Sequence, residues 1–408
     1  MKIVRVIARL NVGGPAKHVV WLSKLPAPEY ESLLVAGTVP AGEDDMGYFA
    51  TEHGVTPFFV EEMSREISLK DALTIWKLYR LFLRERPDIV HTHTAKAGTV
   101  GRIAGIGYRW LTLDTLRGRP RPCRFVHTYH GHIFHSYYGP LKTRAFLMIE
   151  KVLAKLVTDR IVVLSQQQRR EISEEFAVGD REQFSIIPLG LDLSVFENWQ
   201  GRGHAFRAEF GFTPEDVVIG IVGRLTEIKN HEFFLQAAAL YKSEFENDGA
   251  RVRFVVVGDG GLREQLEQQA QKLGLGNAVV FTGSRKDLEE VYPALDIVAL
   301  TSRNEGTPLT LIEAMANARP VIATAVGGVP DLLGKTLVEN EGFIECERGV
   351  AVAPDDLRGF AKGLAKLVSE PALRRETGAR GLQFVTSHYS KERLLADIKK
   401  LYSDLLED

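Results

Sequence analysis

Two glutamates stand eight positions apart in the stretch 296–328, DIVALTSRNEGTPLTLIEAMANARPVIATAVGG. Glu305 lies in a polar loop after the apolar run Ile297–Leu300, which has the length and β-branched content of a buried strand. Glu313 lies inside a helix. Thr307 reads as its N-cap, Pro308 as its first residue, and Leu309, Leu311, Ile312 and Met315 as its apolar side. Arg319-Pro320 ends the helix, and 321–323 reads as the next strand. The amides at 308–310 point at whatever lies above the helix start, and such an N-terminus favours an anion. Carboxylates repel a phosphate but accept hydrogen bonds from hydroxyls. A phosphate flanked by hydroxylated rings, the make-up of a nucleotide sugar, fits all three features. Two solvated acids on an ordinary strand–helix–strand unit fit the glutamates alone.

Other residues supply charge and close backbone approach. Gly223-Arg224 follows the run 217–222, and Lys229 comes five residues later at a helix start. Arg grips a diphosphate bidentately and Lys adds a point charge; a surface turn with solvated cations is the alternative. Gly13-Gly14-Pro15 follows the first strand and opens a helix, as a ligand-binding turn or as a plain one. Gly258-Asp259-Gly260-Gly261 is a short glycine cluster after another strand. Neither first strand–helix turn carries Gly-x-Gly-x-x-Gly, and no acidic residue sits at a strand end about 20 residues on. This argues against a nicotinamide or flavin enzyme.

Histidines collect in two places. His91 and His93 end the strand 88–92; we read them as facing opposite sides of it, and so as poor partners for one metal. Lys96 begins the next helix as a charge for a ligand cleft. His127, His130 and His132 follow the next strand, and we expect one of them to line the cleft, with a metal site as the alternative.

These residues need a scaffold that brings strand ends together. Runs at 3–8, 33–37, 56–60, 88–92, 125–128 and 160–164 read as strands, with helical patterns between most of them, such as 69–86 and 141–156, and 185–188 leads to a turn. A second series follows at 217–222, 252–257, 279–282, 297–300 and 321–323, with helices at 231–241 and 262–273. Alternation of this kind predicts α/β architecture, two doubly wound Rossmann-like domains with parallel sheets. Residues 192–216, with Gly201, Gly203, Gly211 and Pro214 and no strong periodicity, read as a linker. The final helices at 357–368, 372–385 and 391–406 are amphipathic, the last packing back on the first domain. Ligands of open α/β sheets sit outside the carboxyl ends of the strands, so two such domains facing each other make a cleft.

The chain has 408 residues, 45% hydrophobic and 25% charged, the profile of an ordinary globular protein with room for two cores. Two cysteines give no disulfide framework or metal cluster and suit a reducing cytoplasm. Met1–Leu10 is too short for a signal sequence, and no run approaches the roughly 20 residues of a membrane span. Residues 102–155 hold ten Lys/Arg against Asp114 and Glu150, interleaved with Tyr108, Trp110, Phe134, Tyr137, Tyr138 and Phe146. This points to attraction to an anionic membrane surface, with a solvated basic face as the alternative. A net charge of −2 and the lack of a recognised binding module argue against nucleic acid.

Taken together, these motifs resemble the retaining glycosyltransferases of family 4, bacterial enzymes of the GT-B fold that depend on nucleotide sugars. The resemblance covers the whole chain. Its strongest part is the pair of glutamates in EGTPLTLIEAMA. Gly223-Arg224, Lys229, VGDGGLR at 257–263, GGPAKHV at 13–19, HTYHGH at 127–132 and IPLGLDLSVF ending at Phe196 support it. It implies an acceptor-binding domain at 1–195, a nucleotide-sugar-binding domain at 196–385, and a C-terminal helix at 386–408 packing on the first. It gives Arg224 and Lys229 to the donor diphosphate, with Gly223 beside them. Glu305 goes to the transferred sugar, Glu313 to the ribose, and the amides of Thr307, Pro308 and Leu309 with Gly306 to the distal phosphate and sugar. Ser284 and Arg285 would hold the base through backbone groups, and His130 would lie at the sugar. Gly14 would meet the donor phosphate or the acceptor, with Gly13, Lys17 and Lys96 on the acceptor side. Ala16 stands where relatives often carry Glu, and 108–124 looks like an insertion.

The function implied is retaining transfer of a hexosyl or N-acetylhexosaminyl group from a UDP-sugar to a glycan or lipid-linked acceptor, in cell-surface polysaccharide synthesis. No second carboxylate is placed beneath the anomeric carbon, so a front-face route without cofactor or metal is expected. A cytoplasmic enzyme peripheral at the inner membrane face would suit it. A UDP-N-acetylglucosamine 2-epimerase of the same architecture is the alternative, and would form its product without a second substrate. A non-catalytic sugar-binding protein is a third class, normally exported.

Overall fold

A computed structural model describes residues 1–11, 13–25, 28–39, 45–64, 68–130, 140–246 and 251–407, without the side chains of 140–142. The chain divides into two compact units, Met1–Gly190 with Lys391–Asp408, and Leu191–Ser390.

The first unit holds a seven-stranded sheet. Its strands are β1 (Lys2–Ile7), β2 (Glu31–Ala36), β3 (Phe58–Phe59), β4 (Ile89–His93), β5 (Arg124–Thr128), β6 (Arg160–Val163) and β7 (Phe184–Ile186), in the order β3-β2-β1-β4-β5-β6-β7. All pairings are parallel. Parallel strands covered on both faces read as continuous apolar runs, and residues 3–7 are fully buried. Helices Lys70–Glu85 and Ala95–Trp110 bury Leu78, Phe82, Val100 and Ala104 with Val4, Val90 and Phe125. Helix Lys391–Glu407 buries Leu394, Ile398, Tyr402 and Leu405 with Ile3, Ile89, Val126 and Val162. Those four residues follow the spacing of one helix stripe. The helix passes Gly190 so closely that a Cβ there would lie 2.6 Å from Leu394 Cβ.

The basic stretch 102–155 is less exposed than its charge count suggests. Arg102, Glu150 and Tyr129 are fully buried together. Arg102 Nη2 donates to both Glu150 oxygens at 2.7 and 2.6 Å, and the Tyr129 hydroxyl donates to Glu150. Arg109 and Arg124 pair with Asp159, just beyond the stretch. Buried charge must be partnered, so these cations belong to the interior of the unit. Arg117, Arg119, Arg144, Lys151 and Lys155 remain exposed. The part at 131–139, with His132, Phe134, Tyr137 and Tyr138, lies outside the described residues.

The second unit holds eight strands: β8 (Val217–Val222), β9 (Val252–Val257), β10 (Val279–Gly283), β11 (Ile297–Leu300), β12 (Val321–Thr324), β13 (Thr336–Asn340), β14 (Phe343–Cys346) and β15 (Gly349–Val352). Their order is β10-β9-β8-β11-β12-β15-β14-β13. The last three are absent from the sequence reading. β13 and β14 pair antiparallel at the edge, and four of the five β13 residues are exposed, so no apolar alternation marks the strand. Residues 192–216 are not a linker. Phe196, Phe206 and Phe212 are buried in the core of this unit, and Arg207 bonds Asp296 and the Ala294 carbonyl. The glycines punctuate turns between these anchors. Among the described residues, no helix is long and apolar enough to cross a membrane.

Candidate active site

Sheet order in the second unit reverses between β8 and β11, which pair directly. The loops after these two strands therefore share one end of the sheet, where α/β folds place ligands. Lys229 ends the short turn Glu227–Lys229 after β8, and its Nζ lies 2.6 Å from Glu305 Oε1 in the loop after β11. Ser302 Oγ donates to the same oxygen at 2.5 Å. The two loops are also tied by backbone. Thr301 Oγ1 donates to the carbonyls of Lys229 and Asn230 at 3.2 and 3.0 Å, and Arg303 N to Ile228 O at 2.9 Å. Lys229 and Glu305, assigned separately to diphosphate and sugar, are thus partners in an ion pair.

The helix after this loop runs Leu309–Ala316, and its N-cap is Pro308, in an extended conformation, not Thr307. Pro308 has no N–H, so the first unpaired helical amides belong to Leu309 and Thr310 rather than to 308–310. Thr310 Oγ1 donates to Val222 O at 3.2 Å, which seats the helix start on the end of β8 beside Gly223. Arg224 is exposed there and has no carboxylate partner among the described residues. Glu313 accepts from the Tyr292 hydroxyl at 2.7 Å. Burial, then Glu313, holds that phenol far above its ordinary range.

Glycines keep the loops close. A Cβ on Gly258 would lie 2.0 Å from Gly223 O, and one on Gly260 2.5 Å from Leu225 O. The cluster after β9 therefore supports the Gly223-Arg224 turn. Gly327-Gly328, unassigned from sequence, does the same for Glu305-Gly306. Gly327 has φ +53 and a Cβ on it would lie 1.7 Å from Glu305 O, while Gly328 N donates to Gly306 O at 3.0 Å. Their signal was a glycine pair three residues beyond the end of a strand. Ser284 is exposed at the end of β10. The Arg285 side chain is engaged with Asp287 and Glu209, and its guanidinium lies over Phe206.

In the first unit the order reverses between β1 and β4. Gly13 is the N-cap of helix Gly14–Ser23, and Lys17 is exposed one turn in. Ala16 is 1% exposed among Ile7, Leu10 and Val19, so a Glu there would be buried. Lys96 is not a free cleft charge: its ammonium pairs with Asp71 and its side chain is 8% exposed. The opposite-sides reading of His91 and His93 is also wrong, because residues two apart on a strand share a face, and the rings lie 4.1 Å apart. His91 is a core residue, bonded to Tyr402 and Thr128 at 2.6 and 2.7 Å. His127 faces the other way, bonds Thr92 at 2.9 Å, and leaves room only for glycine at Gly98.

Of His127 and His130, the described members of their group, His130 is the one that reaches the strand ends. Its Nε2 lies 3.1 Å from His93 Nδ1, and His18 packs edge-on to both rings. Burial pushes His130 down to about 4, and burial and neighbouring imidazoles hold His18 and His93 well below the usual range. Thr94, next to His93, has φ 69 and ψ 158, a region essentially reserved for glycine. Sequence reading missed His18, whose position one turn into the helix after Gly14 was its only signal.

The profile described as Glycosyltransferase Family 4 matches residues 12–195, and that described as Glycosyl transferases group 1 matches 204–384. This chain belongs to the GT-B glycosyltransferases of the family 4 type. Among its relatives is the Escherichia coli UDP-Gal:alpha-D-GlcNAc-diphosphoundecaprenol alpha-1,3-galactosyltransferase, 29% identical over 407 residues, covering 95% of this chain and 96% of that one. The Staphylococcus aureus capsular polysaccharide biosynthesis glycosyltransferase CapM is 25% identical, covering 85% and 84%. The crystal structure of Anabaena HepE in complex with UDP has the same fold, with a TM-score of 0.77, 20% identity, and 99% and 100% coverage. In this glycosyltransferase the motif residues of the second unit gather at one sheet end, as its fold predicts.

Proposed function

We propose that this glycosyltransferase moves a hexosyl or N-acetylhexosaminyl group from a UDP-sugar to a glycan or lipid-linked acceptor with retention, in cell-surface polysaccharide synthesis. The observation that carries the reading is the meeting of Arg224, Lys229, Glu305 and the Leu309–Ala316 helix start at the switch point of one sheet. Cations and unpaired amides suit a diphosphate, and Glu305 and Glu313 suit hydroxyls of the sugar and ribose. The donor and lipid-linked acceptor named for the Escherichia coli relative, and the UDP bound to HepE, support the substrate classes.

In this mechanism the acceptor oxygen bonds to the anomeric carbon on the face from which the diphosphate leaves. The acceptor proton passes to a departing phosphate oxygen. Arg224, Lys229 and the amides of Leu309 and Thr310 stabilise the charge that develops on the diphosphate, the help a divalent ion gives elsewhere. No metal or other cofactor is required. His130 and Gly14 serve the sugar and donor phosphate, and Gly13 and Lys17 the acceptor; Lys96 acts only through Asp71. Ser284 and Arg285 hold the base by backbone groups.

A cytoplasmic enzyme at the inner membrane face fits the exposed surface of the first unit. Leu111, Leu113, Leu116, Met148, Val152 and Leu156 are exposed, with Arg117, Arg119, Arg144, Lys151 and Lys155 on the same segments. A Trp110 Nε1–Leu156 O bond joins the two segments.

The test is hydrolysis and transfer from a panel of UDP-sugars in EDTA. We expect slow hydrolysis of one donor, faster release of UDP with a polyprenyl-diphosphate sugar acceptor, and an α-linked product. Activity lost in EDTA and restored by manganese overturns the metal-independent route. A 2-epimer formed without acceptor overturns the transfer reading.

A further inference from the structure

The histidine cluster of the first unit holds more nitrogen than a sugar contact needs. We propose that His18, His93 and His130 form a three-imidazole site for a late divalent transition-metal ion, Zn²⁺ foremost, with water as a fourth ligand. One ligand nitrogen from each residue lies within 4.8 Å of the other two. The His93 Nδ1–His130 Nε2 separation of 3.1 Å is already close to the spacing of two nitrogens on a tetrahedral ion with bonds of about 2.0–2.1 Å.

The elements that carry these residues are fixed. His18 is buried on the helix after β1, His93 ends β4, and His130 follows β5. Both ring nitrogens of His18 are buried without a hydrogen-bond partner. An unmet buried polar group costs about 1–3 kcal/mol, and a metal ion uses the lone pair that a neutral imidazole offers. His130 is only partly buried, which leaves an entry side.

The donor set selects the ion. Among the described residues the protein supplies it with imidazole nitrogen and no carboxylate, a poor set for Mg²⁺ and Ca²⁺, which take oxygen ligands. Imidazole nitrogen suits Zn²⁺, Cu²⁺, Ni²⁺ and Co²⁺. The guanidinium of Arg5 acts on His18 and His93, and that of Arg393 on His18, which weakens the site relative to one with an acidic ligand. An ion here takes His130 Nε2 away from the sugar, so the metal form is inhibited. That consequence, unlike the binding, rests on the sugar role proposed for His130.

The experiment uses the full chain, stripped with chelator and dialysed. Titration with Zn²⁺ is expected to show one saturable site, and a rise in Tm of several degrees at about 100-fold over Kd, with none from Mg²⁺. Co²⁺ should give the intense visible bands of a tetrahedral nitrogen site. His18→Gln and His93→Gln should each weaken uptake at least about tenfold while His388→Gln, at an exposed position, leaves it unchanged. A wild-type chain that takes up neither ion overturns the proposal without recourse to any variant, as does uptake unaffected by both substitutions in folded protein. Uptake with undiminished UDP-sugar hydrolysis supports the ion site and overturns only the sugar-blocking consequence.

Discussion

Lys229 and Glu305 are 76 positions apart in the chain, and their side chains meet at 2.6 Å. The pair joins the loops that follow β8 and β11. In the donor site proposed above, a diphosphate competes with Glu305 for the ammonium, and sugar hydroxyls compete with Lys229 for the carboxylate. We expect Lys229→Ala and Glu305→Gln each to lower donor turnover by about 10²-fold or more. The double variant should lose less than the product of the two. Strictly multiplicative losses in a double-mutant cycle would show that the pair does not act as a unit.

Gly327 supports Glu305 through backbone. Its φ of +53 and the 1.7 Å approach of a Cβ to Glu305 O leave no room for a side chain. Gly327→Ala should lower stability by about 1–3 kcal/mol from strain and displacement. Donor KM should rise more than for Gly276→Ala, where a Cβ meets nothing within 4 Å. Unchanged Tm and KM in Gly327→Ala would remove the glycine pair from the site.

The exposed leucines of 111–116 and the cations of 144–155 should bind anionic vesicles. Cations near such a surface contribute about 1 kcal/mol each and are screened by salt. Sedimentation with anionic vesicles should fall as salt rises, and fall again in Leu113→Glu/Leu116→Glu. Association indifferent to salt, to anionic lipid and to that variant would sink the membrane reading.

Acid should weaken the first unit. Burial is the first cause that holds His18, His91, His93 and His127 well below the usual range, and it takes His130 to about 4. The unfolded chain, with histidines near 6.5, binds protons between about pH 6.5 and 4 that the folded chain refuses. Stability therefore falls as pH falls through that window and is fully present above it. Urea midpoints should drop from pH 7.5 to pH 5; equal midpoints would contradict the neutral burial of these rings.

Local pattern made much of the molecule legible. Apolar runs marked the parallel strands, because a strand buried on both faces needs no partner to be recognised. Turn chemistry marked Gly223, Glu305 and the helix near Thr307, though the cap moved to Pro308. Strand β13 escaped because an exposed edge strand carries little apolar signal. The region 192–216 misled because glycines hid three buried phenylalanines.

The sequence by itself determined the α/β alternation, the family and the residue types at the strand ends. Those are properties of short windows, where periodicity and turn preference act. Tertiary structure decided partnership. It joined Lys229 to Glu305, removed Lys96 to Asp71 and Arg102 to Glu150, and turned His91 into a core residue while gathering His18, His93 and His130. The physical reason is that charges and imidazoles act over a few ångströms in space, and spatial neighbours follow strand order. That order reverses at β1/β4 and β8/β11, a choice made by the packing of whole crossovers and invisible in any local spacing.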